Sequence, residues 1–345
     1  MTLTRAADDA VLAVLEERRQ EIDEAITEDL PIDEPTRLYE ASRYLFDAGG
    51  KRLRPTITLL VAEALADVEP GSVSYRDFPT IDGEPIDIMR AAVSIEVIQS
   101  FTLIHDDIMD DDELRRGVPA VHEEFDLETA ILAGDTLYSK AFEIMLGTGA
   151  PPDRSIRALQ LLAETCTLIC EGQSLDIAFE DDPDVTVETY RDMIERKTAV
   201  LFRAAAAVPA ILMGADDETI HALGEYGLTV GEAFQIHDDV LDLITPSERL
   251  GKSRGSDLIE GKRTLISLHA ERAGVDPESI RPEAGDDAAI EAAVARLENA
   301  GSIDYARTEA RSLIDEGVGR LDHLPQNRGR ELLSGLAHYL VEREY

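Results

Sequence analysis

Apolar residues recur along this chain at intervals of three, four and seven. Val11, Leu12, Leu15, Ile22 and Ile26 open the pattern, with acidic residues between them, as an amphipathic helix requires. The same periodicity predicts helices over 56–65, 89–108, 156–179, 187–213, 220–243, 290–299, 306–321 and 330–343. Stretches rich in Gly, Pro and Asp separate them at 67–87, 148–153, 180–185, 246–261 and 274–287, where the backbone is expected to turn. Sustained period-two alternation is missing, so no sheet is expected. No linker divides the chain and no fixed-length repeat recurs. The expectation is one all-α domain over residues 1–345 with about ten or more helices.

Composition narrows the function. The chain carries 71 acidic against 33 basic residues, a formal charge of −38. Such a surface repels polyphosphate, which argues against a general nucleic-acid binder. A hydrophobic content of 44% supplies enough apolar material for a core and argues against simple disorder. Cys166 and Cys170 are the only cysteines, too few for a disulfide framework and without His partners for zinc; a reducing, cytoplasmic compartment is expected. The first twenty residues are acidic where a secretion leader is basic and then apolar. The longest apolar run, 204–215, is interrupted by Pro209 and is far shorter than the roughly 20 residues of a membrane span.

Only five lysines occur beside 28 arginines. An acid-rich, lysine-poor balance suits a salt-loving organism, because dissolved salt screens the self-repulsion. Against that background Lys51, Lys197, Lys252 and Lys262 stand out, since each lies in a motif.

Two acidic motifs end strongly apolar helical stretches. The first runs His105-Asp106-Asp107-Ile108-Met109-Asp110, the second His237-Asp238-Asp239-Val240-Leu241-Asp242. On a helix, Asp106 stacks over Asp110 and Asp238 over Asp242. Stacked carboxylates repel one another by a few tenths of a kcal/mol, and a bound cation would offset that. Oxygen ligands without matching His or Cys point to a hard ion, best Mg²⁺. In so acidic a chain a single such motif is as readily a solvated face as a metal site. Two copies with the same approach favour the metal. Neither fits an EF-hand, which needs alternating acids and a sixth-position glycine. Gly49-Gly50-Lys51-Arg52-Leu53-Arg54-Pro55 joins flexible backbone to three cations, a reasonable grip for phosphate. Arg115 and Arg116 follow the first acidic motif, and Lys252 and Lys262 flank the stretch before Thr264.

Together these segments resemble the trans-isoprenyl diphosphate synthases, or polyprenyl synthetases, and most closely their archaeal geranylgeranyl members. The resemblance runs from about Tyr39 to the C-terminus. It rests on GGKRLRP (49–55), LIHDDIMDDDELRRG (103–117), GQSLD (172–176), the KT pair at 197–198, FQIHDDVLD (234–242) and GK…GSDLIEGKRTL (251–265). It implies the isoprenoid synthase fold, a helical bundle around a central cavity, usually a homodimer. It also implies head-to-tail condensation of isopentenyl diphosphate with dimethylallyl, geranyl or farnesyl diphosphate.

By the same resemblance, Asp106 and Asp110 would hold two Mg²⁺ ions and Asp238 a third, with Asp107, Asp239 and Asp242 in support. Arg115, Lys197 and Lys252 would hold the allylic diphosphate. Gly50, Lys51, Arg54, Arg116 and Gln99 would hold isopentenyl diphosphate, Gln99 standing where many relatives have His. Gln173, Asp176, Thr198 and Gln235 would line the reaction centre. Lys262 would belong to a closing loop, and Tyr339 and Arg343 would help close the site.

Phe101 lies five residues before Asp106, about 7 Å deeper along the helix axis at 1.5 Å per residue, and Thr102 four before. An aromatic at the first position with a small residue at the second resembles synthases that stop at twenty carbons, with Phe101 as the floor. A geranylgeranyl product is expected, with farnesyl or a farnesyl/geranylgeranyl mixture as the alternative. A terpene cyclase would not need the second phosphate grip at Lys51, Arg54 and Arg116. A non-catalytic partner subunit would have lost part of one acidic motif. Cys166 and Cys170 read as core residues, His105 and His237 as packing groups, and 70–87 as a surface loop.

Overall fold

The computed structural model describes residues 2–179, 182, 184–245, 254–283 and 285–343, with side chains from Val11 onward. Its helices are α1 (Thr2–Asp29), α2 (Thr36–Asp47), α3 (Leu53–Ala66), α4 (Ile88–Met109), α5 (Val121–Glu124), α6 (Leu127–Leu146), α7 (Pro152–Phe179) and α8 (Val187–Ile194). They continue with α9 (Val200–Met213), α10 (Asp217–Ile244), α11 (Ser256–Glu260), α12 (Leu265–Arg272), α13 (Asp287–Asn299), α14 (Ser302–Arg320) and α15 (Arg328–Glu342). The all-α expectation holds. No helix among the described residues is long and apolar enough to cross a membrane.

The longer helices pack side by side rather than in separate groups. α9 lies against α3, α4, α7 and α10, and α4 also packs on α6. The sequence of α9, VLFRAAAAVPAILM, is buried almost all round, as a helix enclosed by neighbours must be. Its run of alanines lets the surrounding backbones come close, and Thr58 of α3 donates to Ala205 O at 2.9 Å. One continuous apolar core reaches from Val11 to Val341.

Three expectations are corrected here. Two antiparallel hairpins do exist, Phe78–Pro79 with Pro85–Ile86 and Leu114–Arg115 with Val118–Pro119. Two-residue strands are too short to leave a periodic signal. The stretch 70–87 is more than a surface loop: Tyr75, Phe78 and Ile86 are buried. The Tyr75 hydroxyl donates to Glu63 at 2.5 Å, beside Arg18, which donates to the same oxygen at 2.9 Å. Cys166 is buried, but Cys170 is exposed.

Candidate active site

The first acidic motif sits at the end of α4. Asp110 is the C-cap, and Asp111 beyond it takes a positive φ of 54°. The second motif occupies the last two turns of α10. Between them runs the α8–α9 connection, where Glu195–Ala199 forms a single π-turn closed by the Val200 amide on Glu195 O. Such turns widen a helix by one residue and often mark functional positions. Here the widening turns two sequence neighbours to different partners. Lys197 places its ammonium 2.5 Å from Asp176 and 3.1 Å from Asp106. Thr198 donates to Gln235 at 2.9 Å, and Gln235 donates in turn to Asp239 at 2.9 Å. The two acidic motifs are therefore tied to adjacent residues of one turn. Gly172 permits this approach, since a Cβ there would stand 2.2 Å from the Lys197 amide nitrogen.

The six aspartates do not share one environment. Asp107 is fully buried and accepts from Arg115 Nε at 2.6 Å, with a second contact from the same guanidinium. Burial pushes its carboxyl up to about 6, opposed by Arg115. Asp110 is also pushed up to about 6, by burial and then by the like charge of Asp106, with Lys197 and Lys262 opposing. A group in that state gains from added positive charge. Asp239 accepts from the Tyr190 hydroxyl at 2.6 Å; burial, then Asp257, hold it well above the carboxylate range. Asp242 accepts from Ser256 Oγ at 2.8 Å and from the Asp257 amide at 3.2 Å, so it serves the start of α11. Asp238 is half exposed and pairs with Arg343 at 2.6 Å.

Asp106, Asp110 and Asp238 thus keep the most accessible carboxylates, while Asp107, Asp239 and Asp242 are bonded within the protein. Among the described residues no three His, Cys, Asp or Glu side chains converge as a ready-made ligand set. That donor set fits Mg²⁺, which binds through one or two carboxylates and completes its shell with water and substrate phosphate.

The basic residues divide too. In GGKRLRP, Gly49 and Gly50 have φ of 91° and 153°, and a Cβ on Gly50 would meet the Arg52 and Arg116 guanidiniums at 2.8 and 3.0 Å. Arg52 departs from the expected phosphate grip. It turns inward in a left-handed conformation, φ 49°, and binds Asp23 at 2.7 Å, Glu96 at 2.6 Å and Phe46 O at 3.0 Å. That anchoring leaves Lys51 outside and exposed. Arg54 stacks on Phe202 at 4.1 Å, and burial lowers it to about 10, so it stays charged at neutral pH. Arg116 donates to Leu45 O at 2.8 Å and to Gly49 O, fastening the glycine turn. Arg115, expected at the allylic diphosphate, bridges Asp107 and Asp112. Lys262 lies 3.1 Å from Glu260 and is held charged by Asp257, Glu260 and Asp176 against its burial. Lys252 falls outside the described residues.

Gln173 on α7 is buried, and neither amide atom has a partner among the described residues. A buried amide left in that state is costly unless something else binds it. Gln99 on α4 is half buried, and its backbone carbonyl accepts from Thr102 Oγ1 at 2.9 Å. Phe101 is buried edge-on against His105 and Tyr138, with ring centres 5.1 and 5.4 Å away. Tyr190 as the donor to Asp239 and Tyr138 as the backing of Phe101 were not legible beforehand. Neither lies in a charged or glycine-rich motif.

The sequence profile of the family described as polyprenyl synthetase matches residues 35–297, more than half of the chain. The chain belongs to the polyprenyl synthetase family. This polyprenyl synthetase is 64% identical to a geranylfarnesyl diphosphate synthase of Natronomonas pharaonis over 98% of its own length and 99% of the relative's. It superposes on the geranylgeranyl pyrophosphate synthetase of the archaeon Geoglobus acetivorans with a TM-score of 0.86, at 42% identity and covering 96% and 100% of the two chains. A polyprenyl synthase of Caulobacter crescentus, solved with calcium and isoprenyl diphosphate, matches with a TM-score of 0.83 at 30% identity, over 98% of both chains. Members of the family use a divalent metal. The acid-rich balance of this synthetase accords with the Natronomonas relative.

Proposed function

We propose that this prenyl diphosphate synthase joins isopentenyl diphosphate head-to-tail to allylic diphosphates and releases geranylgeranyl diphosphate. The observation that carries the reading is the Lys197–Thr198 pair, whose first side chain reaches Asp106 of one acidic motif and whose second reaches Asp239 of the other through Gln235.

In this reading Asp106 and Asp110 hold two Mg²⁺ ions and Asp238 a third, and Asp107, Asp239 and Asp242 support them through the bonds they already make. The metal, when bound, neutralises a diphosphate that is otherwise a poor leaving group. Lys197, Arg115 and Lys252 hold the allylic diphosphate from the other side. Lys51, Arg54, Arg116 and Gln99, with the Gly50 turn, hold isopentenyl diphosphate. Thr198, Gln235, Gln173 and Asp176 line the reaction centre, where the neutral oxygens of Thr198 and Gln235 stabilise an allyl cation without attacking it. Lys262 closes the site and excludes water, which would quench the cation. The proton lost on condensation passes to the departing pyrophosphate.

We read the whole chain as one such domain. We place it in the cytoplasm, in keeping with two unpaired cysteines. The exposed apolar residues Leu127, Ile131, Leu132 and Tyr138 on α6 support a homodimer.

Phe101 sets the length in this reading, with Thr102 leaving room beside it. The direct test supplies isopentenyl diphosphate with each allylic primer and Mg²⁺ at high salt and reads the products by chromatography. A twenty-carbon product is expected, and Phe101→Ala should lengthen it. The Natronomonas relative favours a second reading, a twenty-five-carbon product. A wild-type product of that length would select it.

A further inference from the structure

Beyond the acidic motifs themselves, the region around Asp238 carries a feature that the reaction scheme leaves unused. Arg343, just past the end of α15, reaches back across the fold to α10. Its guanidinium lies 4.7 Å from the Phe234 ring centre and donates to Asp238 Oδ1 at 2.6 Å. Its backbone carbonyl pairs with His237 Nε2 at 2.9 Å. The arginine side chain is 3% exposed and the aspartate 49%. The chain therefore holds the cation firmly and leaves the carboxylate open to solvent.

Arg343 also has cationic company. Arg54 approaches the same Phe234 ring at 5.9 Å. The ammonium of Lys51 is repelled by Arg343 and attracted by Asp238. Asp238 thus offsets positive charge contributed by three side chains. If another cation takes Asp238, Arg343 is left unpaired next to Lys51 and Arg54, and that imbalance favours a diphosphate.

We propose that Arg343 is a placeholder cation: it occupies Asp238 until a divalent ion replaces it, and then turns its charge to the diphosphate held by Lys51 and Arg54. This rests on the reading of Asp238 as a metal residue. Arg343 is then a positioning residue that couples metal at one site to diphosphate at the other, and the coupling is reciprocal by linkage.

The test titrates full-length protein with Mn²⁺ alone, without any diphosphate, and follows free Mn²⁺ by electron paramagnetic resonance. Arg343→Gln removes the competitor, so Mn²⁺ should bind about three- to fivefold tighter, the worth of a partly exposed ion pair. Arg343→Lys should fall between the two. In turnover assays Arg343→Gln should raise KM for isopentenyl diphosphate more than it lowers kcat, with Arg343→Lys restoring part of the loss. Circular dichroism checks folding, and the Lys variant carries the test if the Gln variant does not fold. Unchanged or weaker Mn²⁺ binding in the folded variants overturns the proposal. Asp238→Asn in the same titration examines the underlying assignment separately. If it leaves Mn²⁺ stoichiometry and affinity intact, the metal role of Asp238 fails, and the placeholder with it. If it removes a class of Mn²⁺ while Arg343→Gln changes nothing, only the placeholder fails.

Discussion

The acidic motifs at the ends of α4 and α10 are both His-Asp-Asp-x-x-Asp, and the protein treats them differently. In each, the middle aspartate is bonded inside the fold, but Asp107 meets a guanidinium and Asp239 meets a phenol and an amide. The last aspartates diverge further. Asp110 caps the end of α4, whereas Asp242 lies inside α10 and binds the start of α11. One motif keeps two accessible carboxylates and the other keeps one. A metal-binding pattern in a sequence therefore specifies how many acids are available, and the surrounding donors decide how many stay accessible.

The sharpest way to break this contrast is Asp106→Ala. Turnover should fall by about 10³-fold or more, with the circular dichroism spectrum unchanged. Near-normal steady-state rates would remove Asp106 from the metal site. Asp242→Ala should show the opposite balance. It leaves the Ser256 hydroxyl and the Asp257 amide without their acceptor, at a cost of about 2–3 kcal/mol, read as a lower melting temperature with substantial residual turnover. A variant that melts like the parent yet loses its Mg²⁺ response would show that the two motifs work alike. Tyr190→Phe is milder. Losing one bond to Asp239 should cost about 1 kcal/mol in denaturant titrations.

An effect of similar size tests α10 away from either motif. Glu232 is pushed up to about 7 by burial, then by Glu195, with Arg191 opposing and Glu316 and Glu225 adding to the rise. Between its ordinary 4.5 and about 7 the folded chain binds more protons than the unfolded one. Stability contributed here therefore falls as pH rises through that window. Glu232→Gln should flatten the slope and add about 1 kcal/mol near pH 8, measured as unfolding free energy against pH. An unchanged slope would assign the pH dependence to other carboxyls.

Much of this was readable from spacing. Helices α4 and α10 announce themselves through apolar runs that end in acids, and the scarcity of lysine singles out Lys51, Lys197 and Lys262. Helix α6 escaped notice because Ile131, Leu132 and Tyr138 are exposed while Ala133, Leu137 and Ala141 are buried. Apolar residues on both faces blur the three-four rhythm. The fate of individual side chains was hidden for a different reason. Arg52 and Arg54 are alike in sequence, and only the left-handed backbone at Arg52 sends one to Glu96 and leaves the other on Phe202. Likewise Gly172 carries no sign of the backbone it admits.

The π-turn at 195–199 makes this part of the chain sensitive to length more than to chemistry. Exchanging the Lys197 or Thr198 side chain alters one contact and leaves the other standing. Deleting a single residue would wind the segment into ordinary helix, since the wider turn holds one residue more than an α-turn; the flanking helices would stay in register while the bulge that separates the two side chains is lost. One of two adjacent side chains would then miss its partner, and the two acidic motifs would lose their shared tie. Any shuffled or shortened version of this enzyme must therefore keep the residue count through that segment, even where it is free to change the letters.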